Sequence, residues 1–192
     1  VPAGESVAEH AARLLVADIG ATTARFGLWP RGELHFERVL KCADYPGPAP
    51  AARHYFELLR AEGAAPPRAA AFAVAGPLLD DRVALTNNGW DFSAAATRRG
   101  LDLEQLIFLN DFTALALAVP QLAASERYQV GGAAPLAGAA VAVIGPGTGL
   151  GVSGLLRAGD RWLALQGEGG HATLAAVQPR ELAVVATLHR RY

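Results

Sequence analysis

The chain repeats a structural unit. Three apolar runs of strand length open it, over residues 14–17, 24–29 and 34–40, joined by the small-residue turn DIGATT and by Pro30-Arg31-Gly32. After residue 139 the same order returns: the strand AVAVI, the glycine turn GPGTGLG, a run over 152–156, a Gly159-Asp160 turn and a run over 162–165. In both copies the small-residue loop falls between the first two strands, and in both a helix follows. The first helix, over 51–62, sets Ala52, Tyr55, Phe56 and Leu59 on one face and ends at Gly63; the second covers about 180–189. Internal repetition of a supersecondary unit restricts the fold more than any single motif does.

Between the copies the pattern continues as a strand over 69–75 and an extended piece over 83–85, set between turns at Asp80-Asp81 and Asn88-Gly89. Ser93 is placed to cap a short helix ending at Gly100, and a buried-type strand over 106–109 follows. Leu115, Leu117 and Val119 then recur at helical spacing until Pro120, which cannot continue a helix. The order is βββαβαβα with one extra hairpin, an α/β fold. Residues 1–13 read as a lead-in, 14–120 as a first lobe and 121–192 as the start of a second. Three strands and one helix leave sheet edges bare and one face half covered, so the second lobe is expected to be incomplete and the natural polypeptide to run beyond Tyr192.

Composition excludes several classes. With 52% hydrophobic and 18% charged residues, the chain is globular and not disordered. A net charge of -1 without a basic block argues against a nucleic-acid partner. No apolar run approaches the roughly 18 residues needed to cross a membrane, and the N-terminus has no basic head before an apolar segment. One cysteine, Cys42, rules out an internal disulfide and a Cys-rich zinc cluster. A cytoplasmic location is the simplest expectation.

Four stretches carry chemistry. Asn110 and Asp111 stand at the carboxyl end of a strand and the mouth of a helix, where open α/β sheets bind ligands. The same position suits Asp111 as a plain N-cap. DIGATT puts Asp18 beside small residues whose backbone can approach phosphate oxygens, and a carboxylate there can hold Mg²⁺ through water; a simple hairpin turn is the alternative. GPGTGLG lacks the Lys-Ser/Thr pair of a P-loop. Its GLGVSG string matches a dinucleotide fingerprint, but a strand rather than a helix is expected after it. It reads instead as a hairpin cradle of backbone donors for phosphate. In GEGGH, Glu168 and His171 lack a nearby third ligand for a metal, and suit a polyhydroxyl ligand better. LTNNGWDFS is consistent with a type I′ turn at Asn88-Gly89.

Taken together, LLVADIGATTARFGL, LTNNGWDFS, FLNDFTALALAVP, AVIGPGTGLGVSGL and GEGGHATLA resemble, in family order, the bacterial hexokinase-like glucokinases of the actin-like ATPase superfamily. The similarity spans roughly residues 14–192. It implies RNase H-like lobes with a cleft between them, and transfer of the ATP γ-phosphate to the 6-hydroxyl of glucose. Asp111 falls on the family's catalytic base, and Asn110, Asp111, Glu168 and His171 on its glucose contacts. Ala17, Asp18, Ile19, Gly20, Ala21 and Thr22 fall on its ATP-phosphate turn, with Mg²⁺ near Asp18. Gly147, Thr148 and Gly149 fall on the second phosphate loop. Glucose and ATP are the implied partners, and a homodimer is left open. The zinc motif of the neighbouring repressor-type sugar kinases is absent. Where the family usually has Gly-Thr-Asn, this chain has Ala21-Thr22-Thr23, and a methyl at Ala21 resists positive φ. That departure motivates the alternative reading, a sugar-binding or regulatory module without nucleotide chemistry.

Overall fold

The computed structural model describes residues 13–30, 33–76, 78–85, 88–146, 150–167 and 169–191. In chain order the strands β1 (Arg13–Ile19), β2 (Thr23–Pro30) and β3 (His35–Lys41) lead into helix α1 (Pro48–Ala61). Then come β4 (Ala69–Val74), the short strands β5 (Leu78–Leu79), β6 (Arg82–Ala84) and β7 (Asp91–Ser93), and helix α2 (Ala94–Gly100). β8 (Gln105–Asn110) runs straight into α3 (Asp111–Ala118). The second unit holds β9 (Val141–Pro146), β10 (Leu150–Ala158), β11 (Arg161–Leu165) and α4 (Pro179–Arg191).

The first unit is a five-stranded sheet in the order β3-β2-β1-β4-β8. β1, β2 and β3 pair antiparallel, whereas β1, β4 and β8 run parallel. This is the expected RNase H-like arrangement: a three-strand meander extended by two crossover strands. Alternating small and apolar residues bury one row of the inner parallel strands, Leu15, Ala17 and Ile19 along β1 and Ala70, Phe72 and Val74 along β4. The core is aromatic at its centre. Phe26 stacks on Tyr55 at 5.4 Å and meets Phe72 edge-on at 6.0 Å, and Phe72 meets Phe108 edge-on at 5.5 Å.

Several boundaries differ from the sequence expectation, each for a physical reason. β1 continues to Ile19, so Asp18 is a strand residue opposite Arg25 and not the residue after a strand. α1 begins at Pro48, inside the stretch expected as a loop, because proline is tolerated in a helix's first turn. Its buried face is the expected one, with Ala51 and Pro48 added. The extra hairpin is a three-stranded antiparallel sheet, β5-β6-β7. GLGVSG lies in the strand pairing of β10 from Leu150 onward, which removes the dinucleotide-fingerprint reading.

The second sheet, β11-β10-β9, is smaller and much less covered. Leu155 is fully buried, while Ile144, Leu150, Leu163 and Leu165 are exposed. α3 packs on strands of both sheets: on β4 and β8 of the first, and on β9, β10 and β11 of the second. Among the described residues, no helix is long and apolar enough to cross a membrane.

Candidate functional site

The parallel strands end in register. Ile19 pairs with Val74, and Val74 with Asn110, so the three strand ends form one row. Two strand spacings then separate the end of β1 from Asn110, about 10 Å. That row is the edge at which the DIGATT turn and the α3 N-terminus both stand.

At one end of the row, the cap of α3 is Asn110 and not Asp111. Asn110 has extended backbone, and its Oδ1 accepts from Phe112 N at 3.0 Å and Thr113 N at 3.2 Å. Asp111 is thereby the first helical residue, half-buried, with its Oδ1 also accepting from Phe112 N at 2.9 Å. A carboxylate in the first turn of a helix is stabilised in its ionised form by the helix dipole. The plain N-cap alternative for Asp111 therefore does not describe it.

At the other end, the turn after β1 is tied down from behind. Gly20 N donates to Thr23 O at 2.9 Å and Cys42 N to Thr22 O at 2.9 Å. Gly20 O accepts from Asn88 Nδ2 at 3.1 Å and from Cys42 Sγ at 3.5 Å. In a trans peptide the following N–H points opposite to the carbonyl, so these bonds turn the Ala21 N–H away from Cys42 and Asn88. Asn88 is itself fixed, accepting from Trp90 N at 3.0 Å, and the Trp90 indole donates to Tyr45 O at 3.0 Å. Burial pushes the Cys42 thiol pKa up, which keeps it protonated and able to donate. Neither Gly20 nor Ala21 is among the described residues with positive φ, so the methyl at Ala21 strains nothing. Ala17 and Ile19 are buried in the sheet, while Thr22 is exposed.

Asp18 has an exposed carboxylate, 3.9 Å from Arg25 Nη1. No cluster of three metal-ligating side chains occurs among the described residues. A single exposed carboxylate cannot cage a metal. It does fit Mg²⁺ that keeps its waters and arrives with phosphates, the usual state of that ion.

Three of the sequence motifs meet at the start of β10. Gly151 pairs with Gly145 across the hairpin, and the Phe112 ring lies against both. On β10's other contacts, the turn Gly169–His171 packs so closely that a Cβ on Gly169 would stand 2.9 Å from Val152 Cγ1. A Cβ on Gly170 would overlap Leu150 O. The glycines of GEGGH thus permit close approach to the strand, and His171 follows them at the exposed end of the turn. Gly147, Thr148, Gly149 and Glu168 lie outside the described residues. The structure therefore brings Asn110, Asp111 and the His171 turn to one hairpin, and aligns the DIGATT turn with Asn110 along the sheet edge. Cys42, Asn88 and Phe112 are the residues that sequence reasoning did not connect to these motifs. Asn88 stood inside a singled-out string, but its bond to Gly20 spans 68 positions and leaves no local signal.

The glucokinase family model matches residues 15–192. Over 180 residues the chain is 50% identical to the glucokinase of Aromatoleum aromaticum, covering 93% of this chain and 54% of that protein. The crystal structure of glucokinase from an Antarctic psychrotroph is similar with a TM-score of 0.79 and 33% identity, over 94% of this chain and 57% of that one. A ROK family glucokinase from Streptomyces griseus, solved with glucose and AMPPNP, shares the fold at a TM-score of 0.51 and 19% identity, over 79% of this chain and 46% of that one. The chain spans about half the length of these relatives. With the family model covering nearly every residue and half the positions identical to a curated relative, the chain belongs to the glucokinase family.

Proposed function

We propose that this chain carries the phosphoryl-transfer site of a glucokinase that moves the γ-phosphate of ATP to the 6-hydroxyl of glucose. The observation that carries the reading is the first turn of α3. Asn110 caps it, Asp111 begins it, and the ring of the next residue, Phe112, lies on the glycine hairpin, whose strand β10 also carries the His171 turn. A sugar hydroxyl, a carboxylate and a phosphate loop are the parts this transfer needs, and these residues supply the second and third side by side.

Positioning and charge neutralisation dominate phosphoryl transfer, because little covalent chemistry falls to the protein. Asn110, with Oδ1 held by the cap, offers its Nδ2 to a sugar hydroxyl, and Glu168 and His171 are assigned to the sugar ring. The 6-hydroxyl then lies against Asp111. As its oxygen bonds to the γ-phosphorus, its proton passes to the Asp111 carboxylate, and the bond from phosphorus to the bridging oxygen breaks to release ADP. The phosphates fall to the Ala21 N–H and, by the family resemblance, to the glycine loop 147–149. Mg²⁺, when bound through water near Asp18, supplies neutralisation of phosphate charge.

ATP-dependent phosphorylation of glucose by this chain, with Asp111→Asn beside it, tests the reading. Turnover is expected to fall about 10²-fold or more, the usual share of a general base, with glucose affinity retained. Near-normal turnover in the variant would remove Asp111 from the role of base.

A further inference from the structure

Phe112 physically joins the two halves of the site. Its backbone N–H is bonded to the side chains of both Asn110 and Asp111, at 3.0 and 2.9 Å. Its ring lies on the cross-strand pair Gly145 and Gly151, which brackets residues 147–149. A Cβ on Gly145 would stand 2.8 Å from Phe112 Cζ, and one on Gly151 would fall within the ring. Neither glycine is among those with positive φ, so their backbone conformation would accept a side chain. What excludes a side chain at both positions is the ring. The density of glycine in GPGTGLG thus has a second cause beside phosphate approach: two of its members form a flat seat for an aromatic residue 33 and 39 positions earlier in the sequence.

We propose that Phe112 is a positioning residue, a spacer that fixes how far the phosphate hairpin stands from Asp111; the inference rests on the kinase reading above. One residue carries both constraints. Its main chain is locked to the sugar-side groups, and its ring sets the standoff of the hairpin strands. With the ring removed, Gly145 and Gly151 face a gap where the ring now packs, and the hairpin can settle toward α3. The nucleotide would then bind less well and be presented out of line, because a misplacement of about 1 Å between reacting groups costs on the order of 10²-fold in rate. The sugar contacts would be spared, since the Asn110 cap uses the Phe112 backbone and not its ring.

The test begins with calorimetric binding of glucose and of a non-hydrolysable ATP analogue to the unsubstituted chain. A chain that binds neither overturns the kinase reading and this inference together. Given binding, Phe112→Ala should weaken the analogue by about 10- to 100-fold, as loss of an orienting group usually does. Glucose affinity should stay within about twofold, as expected for an uncoupled site. Wherever transfer is measurable, the ratio of ATP hydrolysed to glucose phosphorylated should rise, which a merely smaller folded fraction would not produce. Gly151→Ala, which displaces the ring instead of removing it, should give the same signature, and combining the two should lose less than their sum. Unchanged analogue affinity overturns the spacer role and leaves the kinase reading standing. So does a parallel loss of both affinities in step with Tm.

Discussion

At the scale of single residues, the first turn of α3 combines satisfied and unsatisfied polar groups. Asn110 and Asp111 divide between them the backbone donors of that turn, which frees neither from structural duty but orients both. Thr113, two residues on, is 1% exposed, and its Oγ1 has no hydrogen-bond partner among the described residues. A buried hydroxyl without a partner destabilises, and an apolar group of the same shape relieves it. Thr113→Val is therefore expected to raise stability by about 1 kcal/mol, read as a higher urea midpoint at constant slope. A lower midpoint would show that the hydroxyl is satisfied in solution and that the threonine was selected for a bond. Residue chemistry was legible in sequence where it was local: an acid after a strand, a glycine-dense turn, an E-x-x-H spacing. What escaped was the exchange of roles between Asn110 and Asp111, which depends on one residue's backbone angles.

At the scale of elements, α2 illustrates how a short helix is held without much burial. Its seven residues bury Thr97 alone, and the start is fixed by polar groups. Ser93 Oγ accepts from Ala96 N at 2.9 Å, while Asp81 takes Ala95 N at 2.7 Å and also the Ser93 hydroxyl. Those donors hold the Asp81 carboxyl below its ordinary pKa, the Ser93 hydrogen bond first. Ser93→Ala removes the cap and loosens Asp81, so a loss of about 1 kcal/mol is expected in equilibrium unfolding. An unchanged midpoint would mean that Asp81 alone suffices. This cap was readable from a serine placed before an alanine run. The start of α1 was not, because Pro48-Ala49-Pro50 has the composition of a loop, and only the fixed φ of proline makes it a first turn. Strands were found within a few residues because the apolar rows that define them are continuous. Their ends were missed where pairing carries polar residues such as Asp18 into the ladder.

At the scale of the whole molecule, the two sheets differ in how firmly they are built. The five-stranded sheet and the face of α1 packed on it hold most of the fully buried side chains, whereas the β9–β11 sheet contributes Leu155. Local opening should follow that division, since amides are protected in proportion to the burial around them. Hydrogen–deuterium exchange is expected to be slowest in β1 and β4 and faster by orders of magnitude in β9 and β11. Equal protection would show the sheets to be one cooperative unit. The repeat in the sequence foretold two sheets, and the element order pointed to an α/β fold, but the strand order of the first sheet and its two parallel pairings came only from the structure. The meeting of α3 with the hairpin was not legible either, because it joins residues whose separation in sequence carries no pattern. That meeting also bears on how such a sequence can drift. With an aromatic ring at 112, a side chain added at 145 or 151 must push that ring aside, however neutral it would be elsewhere. A lineage that first shrinks residue 112 opens both positions at once, and one that enlarges either glycine first passes through a clash. A codon at 112 and two more over thirty codons downstream are thereby coupled, and shrinking the first is the easier first step.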